Sequence, residues 1–268
     1  MKLVILGSGG AIPTPRPFCQ CKICVKARKI GEPFKRNSSS LFIADAKTVI
    51  DCGEDIGDSL NRRNIKQVDN LFITHWHPDH TFGLRHFLEA NYIFSENKVK
   101  KAVQMYIPKR VFSDLIQKFP TIEYYLKIQK TAVLHLIEDG DKIKINNIVI
   151  GVVGYQGKKS EKYAYLIEEK NKKVLYASCD TMGFKNYKNH NNLDLLINEC
   201  GLFSKFDHEI SFVSLMQRLK EIKPKRIILT HIEEEETHKH GEKHFEKMKK
   251  RYLDIPFDYA YDGLIIKI

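Results

Sequence analysis

The chain has 268 residues, of which 43% are hydrophobic and 29% charged, the proportions of a globular protein long enough for a sizeable core. No apolar run approaches the roughly 18 residues that a membrane span requires, and the N-terminus is too short for a signal peptide, so no membrane association and a cytoplasmic location are expected. The formal charge of +11 at pH 7 favours anionic partners such as phosphorylated metabolites or nucleic acid.

In chain order, Lys2–Leu6 reads as a strand, followed by a sharp turn at Gly7-Ser8-Gly9-Gly10. This turn lacks the Lys-Ser/Thr of a Walker motif and no helix directly follows it, which argues against a phosphate loop. Pro13, Pro15 and Pro17 hold an extended loop leading to Cys19, Cys21 and Cys24. Three thiols so close together predict a structural zinc knuckle. Ser39–Ala44 and Thr48–Asp51 read as paired strands, Glu54–Asn64 as a helix, Asn70–Ile73 as a strand and Thr81–Phe94 as helical. Val103–Ile107 is strand-like, and Pro108–Phe119 fits a helix with Pro at its first position. Strands follow over Ala132–Ile137, Lys142–Ile145 and Ile148–Val153, with turns at Asp139-Gly140 and Asn146-Asn147. Tyr163–Glu168 and Lys173–Ser178 form a hairpin, and Leu193–Asn198 a buried strand. A helix over Glu209–Ile222, a strand over Arg226–Leu229, a helix over Lys239–Tyr252 and strands over Phe257–Tyr261 and Leu264–Ile266 complete the chain. Many hairpins with interspersed helices predict two packed sheets covered by helices.

The chemistry concentrates in Thr74-His75-Trp76-His77-Pro78-Asp79-His80, directly after the apolar Asn70–Ile73. Imidazole and carboxylate suit zinc, manganese or iron. His75 and His77 alternate and so share one side of an extended segment, while Asp79 and His80 turn toward a second position. One loop can thereby seed two adjacent metal sites, and two ions about 3.5–4 Å apart activate water and clamp a phosphoryl or acyl group.

This run resembles the His-x-His-x-Asp-His signature of the metallo-β-lactamase superfamily. Val49-Ile50-Asp51-Cys52-Gly53 is similar to its early strand ending in Asp, Leu175-Tyr176-Ala177-Ser178-Cys179-Asp180 to the strand delivering a metal-bridging Asp, and Ile227-Ile228-Leu229-Thr230-His231 to the strand delivering the last His. The resemblance implies an αββα sandwich (an α/β fold class), one domain over 1–268 with the knuckle inserted at about 13–37. It implies that His75 and His77 hold a first ion, that Asp79, His80 and His231 hold a second, and that Asp180 bridges them, with Asp79, His80 and Asp180 as the catalytic group. Asp51 fits a hydrogen-bond partner that orients a ligand. The active-site cofactor is one or two divalent ions, Zn or Mn, and the knuckle holds a structural Zn.

A third His is usual on the first ion, from a loop some twenty residues before the bridging Asp. Here that stretch, Gly154–Ser160, holds none, so the first site is open, weak, or completed by Gln156 or a water. His86 and His135 read as surface or packing residues. Lys158, Lys159, Arg16 and Arg36 are candidates for a phosphate contact. Cys52, Cys179 and Cys200 read as small buried hydrophobes. The fourth knuckle ligand is expected at Glu234, three residues after His231, or at His238.

The knuckle within this superfamily is similar to PhnP-type phosphodiesterases and to PqqB. The expected function is a metal-dependent phosphodiesterase acting on a small anionic ester, cyclic or open. The alternatives are a ribonuclease Z-like nuclease, for which nucleic acid is the partner, and a PqqB-like binding protein with altered or lost catalysis. A homodimer is compatible with each.

Overall fold

The computed structural model describes residues 1–185, 190, 192–204 and 209–268. The strands are β1 (Lys2–Gly7), β2 (Ser40–Ile43), β3 (Thr48–Ile50), β4 (Asn70–Phe72), β5 (Tyr92–Ile93), β6 (Lys98–Val99), β7 (Val103–Pro108), β8 (Ala132–Ile137), β9 (Lys142–Ile145), β10 (Ile148–Gln156), β11 (Glu161–Glu169), β12 (Lys172–Ala177), β13 (Leu195–Glu199), β14 (Ile227–Thr230), β15 (Phe257–Tyr259) and β16 (Ile265–Lys267). The helices are α1 (Lys22–Ile30), α2 (Ile56–Arg62), α3 (Pro78–Thr81), α4 (Leu84–Glu89), α5 (Lys109–Lys118), α6 (Phe212–Ile222), α7 (Glu234–His240) and α8 (Glu242–Arg251).

Two mixed seven-stranded sheets carry the fold, ordered β16-β1-β2-β3-β4-β7-β8 and β15-β14-β13-β12-β11-β10-β9. The hairpin strands pair antiparallel, and the strands joined through helices (β3-β4-β7 and β13-β14-β15) pair parallel, as long crossovers require. In the second sheet the period-two alternation is clean. Val174, Tyr176, Leu195, Ile197 and Ile228 join a core shared with the first sheet, while Leu175, Ala177, Leu196, Ile227 and Leu229 face the core built with α6 and α8. Phe72 of β4 meets Tyr165 of β11 edge-on at 5.2 Å between ring centres, and the Tyr165 hydroxyl donates to the Ile73 carbonyl at 2.6 Å. The two sheets are thus locked at the strand end from which the histidine run departs. Helices flank both sheets, which is the αββα sandwich. Among the described residues no helix is long and apolar enough to cross a membrane.

The predicted helix over Thr81–Phe94 is instead two short ones. The break falls at Gly83, whose amide donates to the Cys52 carbonyl at 2.9 Å, and where a Cβ would lie 2.0 Å from the Gly53 carbonyl oxygen. Close docking on the end of β3 wins over helix continuity, and Tyr92–Ile93 then enters a small ribbon with β6. Gly241, at φ +70°, splits the helix predicted over Lys239–Tyr252 into α7 and α8, and the first begins five residues earlier, at Glu234. Pro108 ends β7 and caps α5 rather than entering it. The predicted helix over Glu209–Ile222 begins at Phe212, where the Ser211 hydroxyl accepts from the Ser214 amide at 3.1 Å, the usual N-cap bond. The knuckle segment contains α1, an element not predicted from the sequence.

Ile197 is fully buried in the core shared by both sheets. Ile197→Ala should lower unfolding free energy by about 2–5 kcal/mol through lost burial plus the cavity left behind, read as a lower midpoint in urea at unchanged slope.

Candidate metal centre

The site forms where β3, β4, β12 and β14 end. Its three non-glycine corner residues, Asp51, Asp180 and His231, all take left-handed backbone angles, with φ of 66°, 47° and 51°. Each such residue costs roughly 1–2 kcal/mol against ordinary geometry, and strain of this kind persists where surroundings over-determine it. The effect is to swing each side chain off its strand into one volume. Pro78 starts α3 immediately after the extended His75–His77, so Asp79 and His80 sit in a tight turn and point back inward.

His75, Asp79, His80, Asp180 and His231 are all buried, and His77 is partly exposed. The His75 and His77 rings lie 4.5 Å apart, His75 and His80 4.1 Å, and His80 and His231 5.5 Å in a near-parallel stack. His80 Nε2 is 3.0 Å and His231 Nε2 3.4 Å from Asp79 Oδ2, yet neither nitrogen makes a hydrogen bond among the described residues. Lone pairs that crowd together without bonding one another fit a shared cation. Ligand atoms of Asp79, His80 and His231 lie within 4.8 Å of each other, as do those of His75, His80 and Cys179 and those of Glu209, His231 and Glu233. His77 and Asp180 fall in none of these groups. The Asp180 Oδ2 accepts from the Lys158 amide at 3.0 Å, and its Oδ1 is buried without a partner.

Burial favours neutral imidazoles, but Asp79 and Asp51 raise His80, and Cys179 with Asp79 raises His231, well above the ordinary range, so a cation must displace a proton from each. Asp51 Oδ2 lies 2.8 Å from His80 Nδ1, and Asp51 Oδ1 accepts from the Thr74 amide at 2.8 Å. With Nδ1 committed to a carboxylate, the lone pair of His80 is assigned to Nε2, facing the cavity. Glu233 Oε1 stands 3.3 Å and Glu209 Oε1 3.9 Å from His231 Nδ1, near it without a hydrogen bond among the described residues. Gly10 permits it, since a Cβ there would strike the Glu233 carboxylate at 2.1 Å, and Ala11 donates its amide to Glu233 at 3.1 Å. The glycine turn therefore supports His231. Burial, with His80 and Lys162 adding like charge, holds His75 well below its usual pKa and so neutral. Burial opposes ionisation of Asp79, but His80 and His231 hold its carboxyl well below the ordinary carboxylate range.

Not every expectation survives. Gln156 does not complete the first site, because its side chain is exposed and its amide bonds the Gly157 carbonyl at 2.8 Å. Cys179 is buried, but as a potential ligand with its Sγ 3.6 Å from His75 Nε2 rather than as an apolar filler. Arg36 turns inward to Ser8 and the Ala260 carbonyl, and Arg16 Nη1 lies 3.5 Å from Glu234. His135 bonds Gln104 and stacks on Tyr106, and His86 is exposed. Cys179, Glu209, Glu233 and Lys162 were missed as site residues. The one local signal was adjacency, of Cys179 to Asp180 and of Glu233 to His231.

At the second centre, ligand atoms of Cys19, Cys21, Glu234 and His238 lie within 4.8 Å of one another. Cys24 lies outside that group, but its Sγ is 3.3 Å from Glu234 Oε1. Cys21 caps α1 by accepting from the Cys24 amide, and Glu234 and His238 come from successive turns of α7. Both expected fourth ligands therefore reach the thiols, a donor set suited to a closed zinc site.

This architecture is the metallo-β-lactamase fold. Among solved structures, the chain is similar to a diphosphatase of the PhnP family (20% identity, TM-score 0.77, covering 100% of this chain and 97% of that one). It is also similar to Zn(2+)-bound PqqB from Methylobacterium extorquens (15% identity, TM-score 0.82, covering 100% of both). The chain belongs to the family described as Anti-Pycsar protein Apyc1, whose profile matches residues 32–252. It is 24% identical over 156 residues to ribonuclease Z of Archaeoglobus fulgidus, covering 56% of this chain and 42% of that protein. The chain spans less than half the length of the first curated relatives it matches.

Asp51→Asn should weaken active-centre metal affinity about 10–100-fold, the usual penalty for losing an orienting partner. Competition against a chromogenic chelator measures it, with knuckle zinc unchanged.

Proposed function

We propose that the protein is a metal-dependent phosphodiesterase acting on a small anionic phosphate ester, cyclic or open. The observation that carries this reading is the convergence of the buried Asp79, His80 and His231, with unbonded imidazole nitrogens around one carboxylate oxygen. His75, His77 and Asp180 flank that trio. Divalent ions bound there would lower the pKa of water toward neutrality and offset charge on phosphoryl oxygens.

The chain's own residues do the rest. Asp51 fixes the ring of His80 by a hydrogen bond, and Glu233 and Glu209 place carboxylates near His231, which limits the reorientation that binding requires. Asp180 is set by the Lys158 amide, which ties the 157–160 loop to the reacting centre. Burial excludes bulk water and strengthens each electrostatic contact inside. The chain's surplus of basic residues draws anionic substrate toward the cleft. The binding-protein alternative is disfavoured, since Asp79, His80 and His231 lie together and Asp51 supports the His80 ring.

Chromogenic linear diesters and cyclic mononucleotides, offered with Mn or Zn, test the proposal. Turnover is expected, falling about 10³-fold in Asp79→Asn. A folded, metal-loaded chain that cleaves no diester would remove it.

A further inference from the structure

We propose that the side-chain ammonium of Lys162 takes the place of the first cation, so that the active centre works with one divalent ion beside a fixed positive charge. This rests on reading the histidine cluster as a metal centre.

Lys162 lies on β11, paired with Tyr155 of β10. It is only 1% exposed, and its Nζ makes no hydrogen bond among the described residues. A buried ammonium is costly unless acceptors face it. An acceptor in the same condition is close by: Asp180 Oδ1 is buried and likewise unbonded. Gly157 brings the two together. A Cβ at Gly157 would lie 2.5 Å from Asp180 Oδ2 and 2.8 Å from Lys162 Cγ, so the stem of Lys162 and the carboxylate of Asp180 pack against the same bare backbone. Lys162 therefore lies beside Asp180, which with His75 and His77 makes up the donors the first ion would use.

The ligand supply agrees. The 157–160 loop offers no imidazole, Gln156 is exposed, and His77 and Asp180 belong to no tight donor group. Asp79, His80 and His231 form such a group without them. An ammonium there supplies charge and three N–H donors for a phosphoryl oxygen. It does not ionise water, which leaves that task to the ion at the complete set. It also repels a second divalent ion at contact distance.

Mn2+ titration of the full chain, freed of active-centre ions, tests this, because hard Mn2+ avoids the thiolate knuckle. Electron paramagnetic resonance reads both the count and the coupling. The wild type should bind one Mn2+ with an uncoupled six-line spectrum. Lys162→His, which restores an imidazole, should bind two with a spin-coupled spectrum, and Lys162→Ala should move in the same direction. Two coupled ions in the wild type would overturn the proposal, a result independent of how either variant folds. One ion in the wild type and in both folded variants would also overturn it. One bound ion without diester turnover would remove the proposed function and leave this inference standing.

Discussion

A single buried carboxylate fixes the orientation on which the site depends. Asp51, at the end of β3, accepts from the backbone and hydroxyl of Thr74 and lies 2.8 Å from His80 Nδ1. It thus positions both the start of the histidine run and its last ring. His80 belongs to two of the three tight donor groups at the centre, so a rotation of that one imidazole would dissolve both. The backbone repeats the restraint: Cys52 donates its amide to the His80 carbonyl at 2.8 Å, and Gly83 donates to Cys52. The loop is held from the side chain and from the main chain by the same two residues, Asp51 and Cys52.

The fold makes this corner possible because strands from both sheets end at one edge. The core shared between the sheets fixes their relative height through Tyr165, which is anchored on Ile73, one residue before Thr74. Three left-handed corners then turn side chains into the gap. The knuckle lies against the same edge, since α7 begins three residues after His231 and carries Glu234 and His238. An ion at the knuckle would stiffen the segment that presents His231, so the two centres are mechanically linked.

Much of this was legible in the sequence because it was local. The apolar alternation gave the strand set, and the density of donors in residues 75–80 gave the loop its role. Asp51, Asp180 and His231 each close an apolar strand, which placed them correctly at strand ends. What was hidden depends on tertiary approach. Gly83 and Gly241 broke helices because of what their backbones dock against or the angle they adopt, neither of which a periodic pattern carries. Cys179 reads as a small hydrophobe because adjacency to Asp180 alone does not announce that its sulfur reaches His75. Lys162 sits in a strand where lysine ordinarily faces water, and its stem packs instead against the Gly157 backbone. Glu209 reaches His231 across the fold and carries no local motif.

Anomalous diffraction at the manganese and zinc edges from one crystal tests the account most directly, because it places ions against named atoms. A manganese peak enclosed by Asp79, His80 and His231, and a separate zinc peak among the knuckle thiols with Glu234 or His238, is the predicted result. A cluster at 75–80 that collects no anomalous density, while His231 and Asp79 pair only with each other, would contradict it.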